Sequence, residues 1–397
     1  LKLGRRAAVV GAAAWPARVF ADAAPDWPAL AARWLRPLRE AVAALPGPGL
    51  VRSYTVRTGA DATDFDRVHA NCAYVYDNAV TGLALLASGD SLGARKIAEA
   101  LAIAANNDRF WRDGRLRNAY AAGPMEAPAK LPGWWDPSRA AWLEDGYQAG
   151  SATGVIAWAM LLWTAFGDRS FRAEAGRAAD WIAATQGGGV GFTGGFLGFE
   201  PMPARMTWMS TEQNLDCAVA FARMGRADAG FARRFVDRMW DGAEQRFLSG
   251  LTPEGAPNRH SALDANVWPL LAGAAPHSVL DWVLSRHGLP AGAPRGEIDG
   301  VDFDTDRDGI WLEGTAITTM ALRRVGDTAL AARFAATLAA NTAPDGLVQA
   351  CTTERLTTGL STGLDPSAPD FFYFRRPHIA PTAWAVLAAL ERNPFFW

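Results

Sequence analysis

The chain has 397 residues, half of them hydrophobic, and a formal net charge of −2. That length fits two or three domains or one large barrel, with ample core in either case. Near-neutral charge, with no charged tail or low-complexity block, argues against nucleic acid or a charged membrane surface as the main partner.

Residues 1–23 read as an export signal. Arg5 and Arg6 form a basic start, an alanine-rich stretch follows, and Ala21-Asp22-Ala23 fits a small-x-small cleavage site. The arginine pair resembles a twin-arginine signal. Arg18 breaks the apolar run, and no later run reaches the roughly 18 apolar residues of a membrane helix. The mature chain, 24–397, is therefore expected to be periplasmic or secreted, without membrane insertion.

Downstream, one pattern repeats. A polar start, an Ala/Leu-rich helix and a short turn recur from Tyr76-Asp77-Asn78, Gly146-Tyr147-Gln148, Ser210-Thr211-Glu212, Leu263-Asp264-Ala265, Trp311-Leu312-Glu313 and His378-Ile379-Ala380. Between them lie helices with one charged face, predicted over 91–106, 170–184, 227–240, 277–287 and 328–341, with an outer helix at 28–44 before the first repeat. Turns such as Ser88-Gly89-Asp90, Phe166-Gly167-Asp168 and Val325-Gly326-Asp327 stop one helix and cap the next. Strands are expected to be scarce, with local pairing at 51–57 and a glycine-rich loop at 187–198 whose Phe192 and Phe196 form a mobile rim. An inner ring and an outer ring of six helices each predict an all-α fold, an (α/α)6 barrel in a single domain, with an open solenoid as the structural alternative.

Inner-helix starts would point at a shared cavity, where helix N-termini favour carboxylates. Asp77, Glu212, Asp264 and Glu313 occupy such starts, and His378 occupies the sixth. Asp145, Tyr147 and Gln148 line the second corner. In Trp208-Met-Ser-Thr-Glu212-Gln213-Asn214-Leu-Asp216, two carboxyls four residues apart share a helix face beside an indole, an arrangement suited to acid–base work. The chain has 17 Trp against 6 Tyr, so sugar stacking competes with core filling as the role of Trp134, Trp135, Trp142, Trp208 and Trp311.

Asp304-x-Asp306-x-Asp308-Gly309 resembles the opening of a calcium loop, although the bidentate Glu at its twelfth position is missing. Calcium is the one cofactor this suggests; the competing reading is an acidic loop that holds sugar hydroxyls. Arg375 and Arg376 either bind an anionic substrate group or pair with that acidic loop. Cys72, Cys217 and Cys351 are too dispersed for a disulfide framework or metal motif, and the spacing leaves one bridge open.

With these motifs in hand, Tyr-Asp-Asn-Ala (76–79), Ser-Thr-Glu-Gln-Asn (210–214) and Glu-Gly-Thr-Ala (313–316), the chain resembles the six-hairpin glycosidase superfamily over most of 26–392. The adjacent Asp-Asp pair of bacterial α-1,6-mannanases is absent. The resemblance implies a carbohydrate substrate and glycoside hydrolysis, with Glu212 as general acid and Asp77 or Glu313 as base or nucleophile. Two alternatives stand beside it: a polysaccharide lyase with Tyr147 or His378 as base, and a non-catalytic glycan-binding protein. Oligomeric state is not readable from the sequence.

Overall fold

A computed structural model describes residues 24–361 and 370–397, so the predicted export segment lies outside the described residues. Fourteen helices are found among these. The first seven are α1 (Trp27–Ala43), α2 (Asp64–Val68), α3 (Val75–Ala87), α4 (Ser91–Asn106), α5 (Gly146–Ala149), α6 (Thr153–Ala165) and α7 (Arg169–Ala183). Then follow α8 (Thr211–Met224), α9 (Asp228–Arg238), α10 (Asp264–Leu271), α11 (Ser278–His287), α12 (Leu312–Val325), α13 (Thr328–Ala340) and α14 (Ile379–Ala389).

Inner helices pack in order, α3 on α6, α6 on α8, α8 on α10, α10 on α12, α12 on α14, and α14 back on α3. The ring therefore closes, and the open solenoid is excluded. Around it α4, α7, α9, α11 and α13 each pack on the inner helix that precedes them, while α1 packs on α14. This is the (α/α)6 barrel. Burial explains the two rings. All eleven residues of α14 are buried, whereas α4 buries Ala94, Ile97, Ala98, Leu101 and Ala104 at helical spacing and leaves its other face wet.

Turn chemistry sets the hairpins. Gly89, Gly167 and Gly326 take φ of 85°, 66° and 84°, values that cost other residues strain. Asp90, Asp168 and Asp327, one residue on, accept a backbone N–H in the first turn of α4, α7 and α13. Inner helices use a different device. The first-turn side chain of Asn78 accepts the N–H of Val51 at 2.8 Å and donates to its carbonyl at 3.0 Å. Asn214 treats Phe192 in the same way, at 2.8 and 3.0 Å. Asn266 accepts from Phe247, Thr315 from Val301 and Thr382 from Val348, at 2.8, 3.2 and 2.9 Å. Five of the six inner-helix starts are thus fastened to the chain segment that crosses them.

Two expectations about strands are corrected. Twenty strands occur among the described residues, each two to seven residues long. They pair within one inter-helix connection or between two of them, and are too short for a period-two pattern to show in sequence. The 187–198 stretch is one such region. Gln186–Gly187 pairs with Gly191–Phe192, and Gly195–Leu197 pairs with both Ala204–Met206 and Ser151–Ala152. Phe192 is fully buried against Phe221 and Phe231, so it plugs the core and does not form a rim. In 51–57 the pairing is a single bridge from Tyr54 to His378. All three cysteines are free and buried. Among the described residues no helix is long and apolar enough to cross a membrane.

Candidate functional site

The inner-helix starts converge on a cavity of about 160 Å³. Asp77 reaches it from α3, Glu212 and Asp216 from α8, Asp264 from α10, Glu313 from α12 and His378 from the start of α14. Five carboxyl groups from four helices therefore share one small space, and no Lys or Arg among the described residues lines it. A larger groove, about 760 Å³, runs along α1 and α13 on the outer ring; alanines line much of it, and it holds no comparable cluster of acids.

Individual side chains are held firmly. His378 Nε2 lies 2.8 Å from Asp77 Oδ2, and Tyr54 stacks on the imidazole with ring centroids 4.0 Å apart. Tyr76 donates its hydroxyl proton to Glu313 Oε1 at 2.5 Å and accepts from the indole N–H of Trp384 at 2.9 Å. Gln213 Oε1 accepts from Thr153 Oγ1 at 2.8 Å. Gly154 makes this corner possible, because a Cβ there would sit 2.7 Å from Gln213 Cγ and 3.0 Å from Asp216 Oδ2.

Burial dominates the electrostatics. It pushes Glu212 up to about 7. Glu313 rises to about 8, through burial first, opposed by the Tyr76 hydrogen bond and helped by the Asp77 and Glu212 charges. Asp216 and Asp264 rise well above the usual carboxylate range, again through burial and then through neighbouring acids. Several polar atoms of the lining residues have no hydrogen-bond partner among the described residues. They are the indole N–H groups of Trp268 and Trp311, one oxygen of Asp264, and Nδ1 of His378. Buried polar groups are normally paired, so unpaired donors and acceptors around one cavity mark the place of a polar ligand.

Of the residues singled out from the sequence, Asp77, Tyr147, Glu212, Gln213, Asp216, Asp264, Trp311, Glu313 and His378 line this cavity. Five others are placed elsewhere. Asp145 caps α5 by accepting the N–H groups of Tyr147 and Gln148 at 2.9 and 3.0 Å. Gln148 is buried and donates to the carbonyl of Val68 at 3.3 Å. Asn214 is one of the fastening residues, with its amide spent on backbone. Trp208 lies against Gly194, where an added Cβ would come within 2.6 Å of the indole. Arg376 is buried in a fork on Asp66, at 2.7 and 2.9 Å, and not on the acidic 302–308 loop. The paired Trp135 and Trp142 stand exposed on a surface hairpin.

Apart from Tyr147 and Trp311, sequence reading missed the aromatic walls. Tyr54, Tyr74, Tyr76, Tyr147 and Tyr373 line the cavity, five of the six tyrosines in the chain, together with Trp158, Trp268 and Phe371. The scarcity of tyrosine against tryptophan was the available signal.

No family model matches the chain, and no curated protein matches it. Solved structures do. A wild-type glycosidase aligns with a TM-score of 0.55 at 15% identity, covering 92% of this chain and 98% of that one. A GH63 mannosylglycerate hydrolase from Thermus thermophilus in complex with glucose aligns with a TM-score of 0.50 at 14% identity, covering 91% and 99%. A D-mannose isomerase aligns with a TM-score of 0.60 at 7% identity, covering 92% and 96%. At such identities the likeness establishes the six-hairpin toroid fold and carries no residue's role with it.

Proposed function

We propose that the chain is a glycoside hydrolase acting on a neutral sugar by carboxylate general acid–base chemistry. One observation carries this reading: five carboxyl groups meet in a cavity that no Lys or Arg among the described residues lines, alongside unpaired donors and acceptors that suit hydroxyl groups, which both give and take hydrogen bonds. Fold neighbours that are glycosidases support it. The volume lies below the about 300–1,000 Å³ of sites for drug-sized ligands and suits a single sugar unit. Glu212, half-buried and held near 7, still carries its proton in about half of the molecules at neutral pH and donates it to the leaving oxygen. Asp77, oriented by His378, takes the proton of the attacking water, and Glu313 is positioned by Tyr76 on the facing wall. A uronate-cleaving lyase fits less well, because Arg376 is committed to Asp66 and an acidic cavity repels an anionic sugar.

The test is proton NMR on a panel of neutral glycosides. Release of a free sugar, lost in Glu212→Gln, supports the hydrolase. Absence of turnover with retained binding in Glu212→Gln and Asp77→Asn returns the reading to a glycan-binding protein. A second reading rests on His378, whose Nδ1 has no partner while Nε2 is held by Asp77. Such a base moves a proton beside a sugar carbonyl, and one fold neighbour is a D-mannose isomerase. Deuterium incorporated from D2O into a carbon-bound position of a free aldose, without bond cleavage, would replace the hydrolase by that chemistry. We also propose that the enzyme acts outside the cytoplasm, on the strength of Arg5-Arg6 and the Ala21-Asp22-Ala23 site. Periplasmic protein beginning at Ala24 would support this, and retention of Arg5 in the cytoplasm would remove it.

A further inference from the structure

Behind the cavity wall, three aspartates meet in the loop that leads into α12. One oxygen each from Asp302, Asp306 and Asp308 lie within 4.8 Å of one another. Asp306 and Asp308 are exposed, and Asp302 sits beneath them with no exposed surface. Asp302 Oδ1 accepts the N–H of Phe303 at 2.7 Å, but its Oδ2 accepts from no N–H or O–H donor among the described residues. A fully buried carboxyl oxygen that meets no N–H or O–H donor, beside two further acids, is costly, and a cation held between the three would supply its missing partner. Arg307, between the two exposed acids, turns away and donates to the carbonyls of Ser285 and Arg286.

Thr357, on the strand Arg355–Ser361, joins the cluster from the opposite side. Its hydroxyl donates to Asp306 Oδ2 at 2.5 Å, and its N–H donates to Asp308 Oδ2 at 3.0 Å. Asp304, the first acid of the Asp-x-Asp-x-Asp-Gly pattern, is directed elsewhere. Its Oδ1 accepts the N–H of Asp306 at 2.8 Å, and its Oδ2 lies 3.9 Å from Nε2 of His260.

We propose that Asp302, Asp306 and Asp308 form a calcium site, with the register of the ligands shifted from the one that the sequence pattern suggests. An oxygen-only set of hard donors selects an alkaline-earth ion over a transition metal. An open cluster with room for waters suits the flexible six- to eight-fold shell of calcium better than the strict octahedron of magnesium. The ion would tie the loop before α12 to the strand 355–361. Trp311 and Glu313 follow that loop, and the strand pairs with Asp370–Phe374, which carries Phe371 and Tyr373. Calcium would thus brace two walls of the cavity from outside, without entering it.

The test uses the whole chain, stripped with chelator and titrated with calcium chloride by calorimetry, with thermal melting in parallel. Calcium at about a hundred times its dissociation constant is expected to raise the melting temperature by about 3 °C. Asp302→Asn is expected to weaken binding at least about tenfold, and Asp304→Asn to leave it within about threefold. Asp306→Asn, at an exposed position, serves the same purpose if Asp302→Asn does not fold. Absence of both heat and stabilisation overturns the site. So does an equal response to magnesium, or loss of binding in Asp304→Asn with retention in Asp302→Asn and Asp306→Asn.

Discussion

Replacing Glu313 by Gln should remove a pH-dependent weakness of the fold. Its carboxyl is 2% exposed and rises from 4.5 to about 8, so the folded state binds its proton more tightly than the unfolded chain does. For such an acid the stabilising contribution is whole below the unfolded value and is lost as pH rises through the folded one. Integrating between about pH 5 and about pH 8 at 1.36 kcal/mol per unit gives a loss of about 3–4 kcal/mol for this group. Gln keeps an oxygen to accept from Tyr76 and has no charge to desolvate. Its stability relative to the parent should therefore grow by about 3–4 kcal/mol over that range. For a chain of this size that is about 4 °C in melting temperature, while activity is lost. Scanning calorimetry of both proteins at several pH values gives the comparison. A difference in melting temperature that stays constant with pH would refute the burial argument for Glu313.

Three other perturbations follow from the same geometry. If Glu212 is the acid, kcat/KM should fall as pH rises through about 7, and Glu212→Gln should lose at least about a hundredfold in kcat. A pH profile flat from about 5 to about 9 would remove Glu212 from that role. Gly154→Ala would force a Cβ against Gln213 and Asp216, so KM for the sugar should rise about tenfold or more; an unchanged KM in steady-state assays would show that this corner does not meet the substrate. Arg376→Met strands Asp66 as a buried charge and should cost about 3–5 kcal/mol in denaturant unfolding. A loss below about 1 kcal/mol would show that the fork contributes little.

The fold was legible because its signals are long. Helices such as 91–106 and 328–341 carry enough turns for the 3.6-residue period to show, and glycine-aspartate turns mark their junctions. The acids at inner-helix starts were legible for a related reason. A hydrophobic helix that begins with Asp or Glu is a visible exception to its own composition. What escaped was the neighbour of each acid. Asn78, Asn214, Asn266 and Thr315 follow Asp77, Glu212, Asp264 and Glu313 by one or two positions, and Asn214 was read as a ligand contact. Its function depends on a backbone segment some twenty residues away, 22 in this case, which a local pattern does not contain. Arg376 was misread likewise, since Asp66 lies 310 positions away in the chain.

The aromatic residues show which physical demand shaped the site. Tryptophan is abundant, yet most of the indoles that line the cavity are there as floor: Trp158 packs on Trp268 and Trp384 with ring centroids 5.3 and 5.7 Å apart. Tyrosine is rare and almost wholly concentrated on the cavity. A phenol offers a flat face and a hydroxyl, and Tyr76 shows why that matters, since its proton holds a buried carboxyl that would otherwise have lost water without replacement. Desolvating several acids at once destabilises the fold, and a site for stacking alone would have no reason to keep them. Their convergence on one cavity, four of the five at the start of a helix whose dipole favours negative charge, fits the proposed proton transfer at that spot. It also explains why the pH dependence of stability and the pH dependence of turnover should share a range, since the same buried carboxyls govern both.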